Sequence, residues 1–286
     1  MYFSGTKSCK VEPQKSVMNP QKPLQFVEIA PHYDFLMRGV PYSMWVHYLQ
    51  QIFQRFDASP RRILDLACGT GTVSLLLQRT GYEVIGVDIS PDMIAVAQEK
   101  AHKSRSSARF YCQDACDLDI PEESFQICVS LFDSLNYILE PTRLRQAFQR
   151  VSNLVERGGL FIFDLNTEYA LATRMFDQTQ TSANAPLRYR WRSSFDADTR
   201  LCRIEMEFQL HERQGDCNFY EEHWQYAYRE DEILSMLKAA GFFPIETYQA
   251  YTFLQPGPKS DRVFYVAKRS DENVKDLQEF NDESSK

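Results

Sequence analysis

Two carboxylates and two glycines are the residues of this chain best spaced to do chemistry. Asp65 sits just ahead of Gly69 and Gly71 in the stretch Ile63-Leu64-Asp65-Leu66-Ala67-Cys68-Gly69-Thr70-Gly71-Thr72. Glycines at that spacing let a backbone approach a ligand closely and adopt torsions that a β-carbon resists. An acid ahead of them repels a pyrophosphate and suits a cationic ligand. Asp88 lies 17 residues beyond Gly71 (88 − 71), at the end of Glu83-Val84-Ile85-Gly86-Val87. A carboxylate there can accept both hydroxyls of a ribose. A dinucleotide turn also uses close glycines, and Ser74 is a near match to its third small residue.

These residues need a scaffold, and the surrounding pattern supplies one. Apolar runs over residues 62–67, 82–88, 108–112, 125–131 and 159–165 read as buried strands. Helical patterns over 72–80, 91–103 and 141–156 alternate with them, with Pro91 and Pro141 at helix starts and Gly81 and Gly158 after helix ends. Such alternation predicts an α/β fold, a doubly wound, mostly parallel seven-stranded sheet with helices on both faces. Residues 187–229 break the rhythm with period-two alternation around Trp191, Phe208 and Trp224, which predicts an inserted antiparallel β cap. A helix from Glu230 to Ala240 and two closing strands, 243–252 and 261–268, follow.

The chain resembles the class I, Rossmann-like methyltransferases that depend on S-adenosylmethionine (SAM). Asp65, Gly69 and Gly71 match the family's first motif, with Ala67 where glycine is more frequent. Asp88-Ile89-Ser90-Pro91-Asp92-Met93 matches the second, and Gln113-Asp114-Ala115 the stretch that usually meets adenine. Phe125 to Phe132 matches the fourth strand, and Arg157 to Phe163 the turn and fifth strand. The Tyr33-Asp34-Phe35-Leu36-Met37 segment, with Tyr42 and Trp45, is similar to a lid found in small members of the group.

The resemblance implies SAM as cofactor, bound by Tyr33, Trp45, Asp65, Ala67, Gly69, Gly71, Asp88, Ile89, Met93, Asp114, Ala115, Leu131 and Phe132. Composition and the resemblance together divide the chain into a disordered segment (1–25), a helical lid (26–57) and a SAM-binding core (58–186). The cap (187–229), the end of the core (230–269) and a disordered acidic tail (270–286) complete it.

The substrate end is less defined. Asn136 and Tyr137, after the fourth strand, are candidates to orient an acceptor, as are Tyr42, Trp191, His223 and Trp224. Capping or packing explains Asn136 and Tyr137 equally well, packing is the preferred reading for most of the aromatic positions and a lone strand histidine is more often structural; no side chain is singled out as a catalytic base. Aromatic content of 13% fits a small organic acceptor, with an amine held by cation–π contacts as one option. A net charge of −7 argues against nucleic acid, which needs clustered Lys and Arg. Seven cysteines lack a metal-binding spacing, so no metal is expected. No apolar run is long enough to span a membrane and no signal peptide is visible, which predicts a cytoplasmic monomer or homodimer.

The expected function is methyl transfer from SAM to an N or O atom of a small molecule. A catalytically inactive SAM-binding partner and an NAD-dependent oxidoreductase stand as the alternatives.

Overall fold

The computed structural model describes residues 25–120, 124–182, 185–212 and 215–270. The segment 1–24 and the tail 271–286, both expected to be disordered, lie outside the described residues.

The principal sheet has seven strands. In chain order they are β1 (Arg62–Leu66), β2 (Glu83–Asp88), β3 (Arg109–Cys112), β4 (Phe125–Ser130), β5 (Val155–Asn166), β10 (Phe242–Gln249) and β11 (Arg262–Arg269). Their spatial order is β10-β11-β5-β4-β1-β2-β3. The first five pair in parallel, whereas β11 runs antiparallel to both β5 and β10. The chain winds outward from β1 to β3 and then returns to the other side of β1 with β4. A crevice opens at that reversal, beyond the carboxyl ends of β1 and β4.

The central strands are buried on both faces, since successive side chains point to opposite sides, whereas the edge strands β3 and β10 are partly exposed. Leu64 and Leu66 enter one core with Phe148 and Leu237 from the helices α5 (Pro141–Leu154) and α7 (Glu230–Ala239). Ile63 enters the other, with Leu49, Leu77 and Ala97 from α2 (Tyr42–Arg55), α3 (Thr72–Arg79) and α4 (Pro91–Ser104). The fifth strand starts at Val155, earlier than the sequence pattern suggests. Its register with β4 shifts between Phe125 and Ile127, which accommodates the extra residues. A β-carbon on Gly159 would stand 2.5 Å from the Gln126 carbonyl oxygen, so this bulge requires glycine.

The second sheet is antiparallel, in the order β6 (Gln178–Gln180), β7 (Leu187–Asp196), β8 (Leu201–Glu212) and β9 (Gly215–Tyr226). The sequence pattern does not predict β6, because Gln178-Thr179-Gln180 is exposed and carries no apolar alternation. Ile204, Met206 and Phe208 on the inner face of this sheet join Ile29 in a third core. Phe26, Tyr33 and Leu36 pack against it, so the segment carrying α1 (Tyr33–Leu36) is held beneath the sheet. The short helix α6 (Glu168–Ala172) links β5 to this layer and contributes Leu171. Among the described residues no helix is long and apolar enough to cross a membrane.

Candidate active site

The crevice at the strand reversal is a cavity of about 450 Å³, a size that suits a small ligand. Its floor is the turn between β1 and α3. Ala67, Gly69 and Gly71 adopt φ values of 57°, 54° and 74°. The left-handed conformation costs a residue with a β-carbon about 1–3 kcal/mol, so Ala67 holds strain that a glycine would not. A β-carbon on Gly69 would meet nothing within 4 Å, so its backbone lies open. One on Gly71 would stand 2.7 Å from the Phe110 ring.

The two acids flank this turn in different states. Asp88 is oriented by backbone donors: Gly69 N–H reaches Oδ2 at 2.8 Å and Ser90 N–H reaches Oδ1 at 2.9 Å. Each oxygen retains a lone pair for a ligand hydroxyl. Burial raises its carboxyl above the ordinary range, opposed by those backbone hydrogen bonds. Asp65 is 2% exposed and accepts a hydrogen bond from Ser74 Oγ. Burial pushes it up to about 7, against the pull of that hydroxyl, with Asp88 adding repulsion.

The far wall begins where β4 ends. Phe132 and Asp133 are consecutive residues in the left-handed region, at φ 66° and 51°. Asp164 on β5 holds both in place, accepting the Phe132 N–H at 2.7 Å and the Asp133 N–H at 3.1 Å. Arg262 on β11 ties the arrangement together, bonding Asp164 with one nitrogen and Asp133 with the other, the latter at 2.6 Å. Gln225 Nε2 donates to the second oxygen of Asp133 at 2.5 Å. The strained turn thereby presents the Phe132 ring to the cavity, 5.2 Å from the Trp45 ring and 5.2 Å from the Arg262 guanidinium carbon.

The roof is apolar and aromatic. Trp191, Ile204, Met206, Phe208 and His223 line it from the second sheet, with Phe26, Ile29 and Leu36 from the N-terminal segment. Cross-strand register places Trp191 opposite Met206 and Ile204 opposite His223. His223 Nε2 lies 2.6 Å from Glu221 Oε2, and Nδ1 lies 3.4 Å from Tyr137 Oη. Glu221 also accepts the Ile29 N–H at 2.9 Å and the Phe26 N–H at 3.2 Å.

Most of the residues singled out in the sequence converge here. Tyr33, Tyr42, Trp45, Asp65, Ala67, Gly69, Asp88, Ile89, Met93, Leu131, Phe132, Tyr137, Trp191 and His223 all line the cavity. Gly71 shapes the turn without lining it. Four others stand elsewhere. Asp114 caps the turn at Cys116 (2.9 Å) and pairs with Arg143 (2.6 Å), with Ala115 beside it outside the wall. Asn136 is fully buried, its amide spent on the backbone of Asn166 and Tyr226. Trp224 faces the opposite side of β9 from His223 and donates to Glu222 at 2.8 Å.

Asp133, Arg262, Met206 and Phe208 also line the cavity, and the sequence motifs do not single them out. The period-two pattern that exposes His223 could have pointed to Met206 and Phe208. Arg262 gives no local signal, because its partners lie 98 and 129 residues away.

The turn and acids fit a nucleoside-sulfonium ligand: open backbone at Gly69, a buried acid for a cation and an oriented acid for a ribose. Comparisons with known proteins agree. Residues 63–159 match the family described as a methyltransferase domain. A protein of Geobacillus sp. (strain WCH70), named as a putative methyltransferase, is 33% identical over 249 residues, covering 86% of this chain and all of that one. The demethylmenaquinone methyltransferase of Thermus thermophilus is 36% identical over 115 residues, 39% of this chain and 52% of that one. The solved structure of a SAM-dependent methyltransferase from Clostridium acetobutylicum superposes with a TM-score of 0.76 at 28% identity, covering 85% of this chain and 98% of that one. The matched methyltransferase domain, the shared fold and the near full-length similarity to a putative methyltransferase favour methyl transfer over the oxidoreductase alternative. This chain belongs to the class I, SAM-dependent methyltransferases.

Proposed function

We propose that this enzyme transfers the methyl group of SAM to an N or O atom of a small molecule held in the same cavity. The observation that carries the reading is continuity: one cavity runs from Asp65, Gly69 and Asp88 to the apolar roof of the second sheet. A donor and an acceptor can therefore meet inside it, away from water.

Asp88 receives the ribose hydroxyls, and the open backbone at Gly69 lies along the ligand. Ile89 and Met93 flank the adenine, while Asp65 faces the cationic end. Leu131 and Phe132 border the sulfur, and Tyr33 and Trp45 cover it. When bound, SAM supplies an electrophilic methyl group. The protein's part is to orient the acceptor and exclude water, a contribution of roughly 7–11 kcal/mol in favourable cases. Residues 26–57 act as the lid, 58–186 and 230–269 as the core, and 187–229 as the cap.

A largely apolar roof suits a small acceptor better than a polymer. The Thermus relative, by its name, acts on such a molecule, demethylmenaquinone. Cys68, Cys128 and Cys202 stand as thiols, in keeping with a cytoplasmic enzyme. Calorimetric titration with S-adenosylhomocysteine, with NAD as the parallel control, tests the cofactor. Heat with the former alone is expected, and heat with NAD alone would overturn the reading. Transfer of labelled methyl to amines, phenols and carboxylates then tests the reaction and excludes a binding-only role.

A further inference from the structure

We propose that the acceptor carries an acidic, phenol-like hydroxyl on an apolar ring, and that Tyr137, His223 and Glu221 relay its proton away. The proposal rests on the methyl-transfer reading and deepens it by naming the acceptor class.

The geometry begins with Glu221. Its carboxylate can only accept, so the 2.6 Å contact with His223 puts the hydrogen on Nε2. Nδ1 is then left with its lone pair directed at the Tyr137 hydroxyl, 3.4 Å away. A small rotation of the phenol completes that bond. Tyr137 and His223 both line the cavity, and the Phe26 ring closes over the pair at 5.3 Å and 4.3 Å. Burial raises the Tyr137 hydroxyl well above its ordinary value, against a hydrogen bond from the Gln225 side chain, so the phenol keeps its proton at rest.

The titratable groups around the Tyr137–His223 pair come from several elements. Glu221 lies on its own strand, Tyr137 on the turn after β4 with Asp133 beyond it, Cys202 on β8 and Tyr33 on α1. None of these five is a cation. An imidazolium formed at His223 would therefore be balanced by Glu221.

Such a relay is wasted on a neutral amine, which attacks without first losing a proton. A phenol hydroxyl is a weak nucleophile until its proton leaves, and a positioned base accelerates that loss. A leucine would pack in this apolar wall with no polar group to satisfy, whereas His223 stands there with each ring nitrogen at a polar partner. Trp191 adds a second observation: its indole N–H is buried and has no hydrogen-bond partner among the described residues. Another oxygen on the acceptor would satisfy it, while Met206 and Phe208 cover the ring.

The proton accounting closes. As the acceptor oxygen bonds the methyl carbon, the carbon–sulfur electron pair stays on sulfur and the hydroxyl proton remains to be taken up. Tyr137 receives it while passing its own to His223 Nδ1, and the imidazolium returns it to water after product leaves. Tyr137 touches the acceptor and is the catalytic residue. His223 and Glu221 act through it as positioning residues.

The test uses 4-nitrophenol as a probe on the full-length protein saturated with S-adenosylhomocysteine, reading the phenolate absorption against pH. The bound probe is expected to ionise about one pH unit lower than in water, a tenfold gain in its ionisation constant. Tyr137→Phe and His223→Asn should abolish that shift with S-adenosylhomocysteine affinity unchanged. Tyr137→Phe removes a single oxygen and keeps the ring, so it carries the test if the histidine variant fails to fold. A probe that does not bind, or ionises as it does in water, overturns the proposal. So does a shift that survives Tyr137→Phe. Failure of S-adenosylhomocysteine itself to bind strikes the methyl-transfer reading instead.

Discussion

Lys100 Nζ on α4 lies 2.5 Å from Asp34 Oδ2 on α1, and the same ammonium reaches Thr72 Oγ1 at 2.8 Å and Thr70 Oγ1 at 3.2 Å. Thr70 Oγ1 in turn donates to Asp34 Oδ1 at 2.6 Å. The segment over the cavity is thus latched to the glycine turn beneath it. A partly exposed pair of this kind is worth roughly 0.2–1 kcal/mol. Lys100→Ala should therefore raise the dissociation rate of S-adenosylhomocysteine by up to about fivefold, with little change in stability. Stopped-flow fluorescence, to which Trp45 in the cavity wall contributes, reads that rate; an unchanged rate would mean the latch does not govern release.

Asp88 is held by two backbone donors and keeps a lone pair free on each oxygen. Asp88→Ala should weaken S-adenosylhomocysteine binding by about 1.5–3 kcal/mol, the usual worth of a charged hydrogen bond. Calorimetry decides it. Equal affinity in the two proteins would remove Asp88 from the ribose site.

Asp65 makes binding and stability depend on pH. Its carboxyl sits at about 7 in the folded protein, above its ordinary value of 3.8, because burial disfavours the charge. Between those values the folded state holds the extra proton, so stability declines as pH rises from about 4 to 7 and is level beyond. The penalty at the upper end is on the order of 4 kcal/mol. A cationic ligand favours the carboxylate, so SAM affinity should rise with pH toward 7 and binding should release a proton. Calorimetry in buffers of different ionisation enthalpy measures that proton. Asp65→Asn should abolish its release; a proton still released by that variant would assign it elsewhere.

Asp164 secures the strained turn after β4. Asp164→Ala would strip a partner from the buried Arg262 and free the amides of Phe132 and Asp133. Breaking a buried ion pair at one end typically costs about 3–5 kcal/mol. Urea unfolding is expected to show a loss of that size, larger than for Lys100→Ala, and a loss below about 1 kcal/mol would mean the turn holds itself.

Gly71 fails differently if changed. With φ at 74° and the Phe110 ring 2.7 Å from where a β-carbon would stand, Gly71→Ala adds strain and a clash together. A loss of roughly 1–3 kcal/mol is expected in the same unfolding assay, while Gly69→Ala, which meets no atom, should lose less.

Where the shape of the cavity floor depends on neighbours in the chain, the sequence was enough. Asp65, Gly69, Gly71 and Asp88 belong to two strand ends and one turn, and strand alternation with helix starts at Pro91 and Pro141 fixes where those ends fall. The seven-stranded sheet and the antiparallel layer follow from the same local periodicities, because burial on one or both faces writes itself into the residue pattern. Only tertiary structure could separate His223 from Trp224. Both look inviting in the sequence, yet adjacent residues on a strand face opposite ways and the register decides which one meets the cavity. It likewise spent Asn136 and Asp114 on neighbouring backbone and on Arg143, and it brought Glu221 to His223 and Arg262 to Asp133. Contacts between residues far apart in the chain leave no local trace, since many partners would satisfy the same local pattern. The sequence alone determined the fold and the glycine turn at the cavity floor; the opposite wall was decided by how the second sheet and the N-terminal segment close over it, because those contacts join residues far apart in the chain.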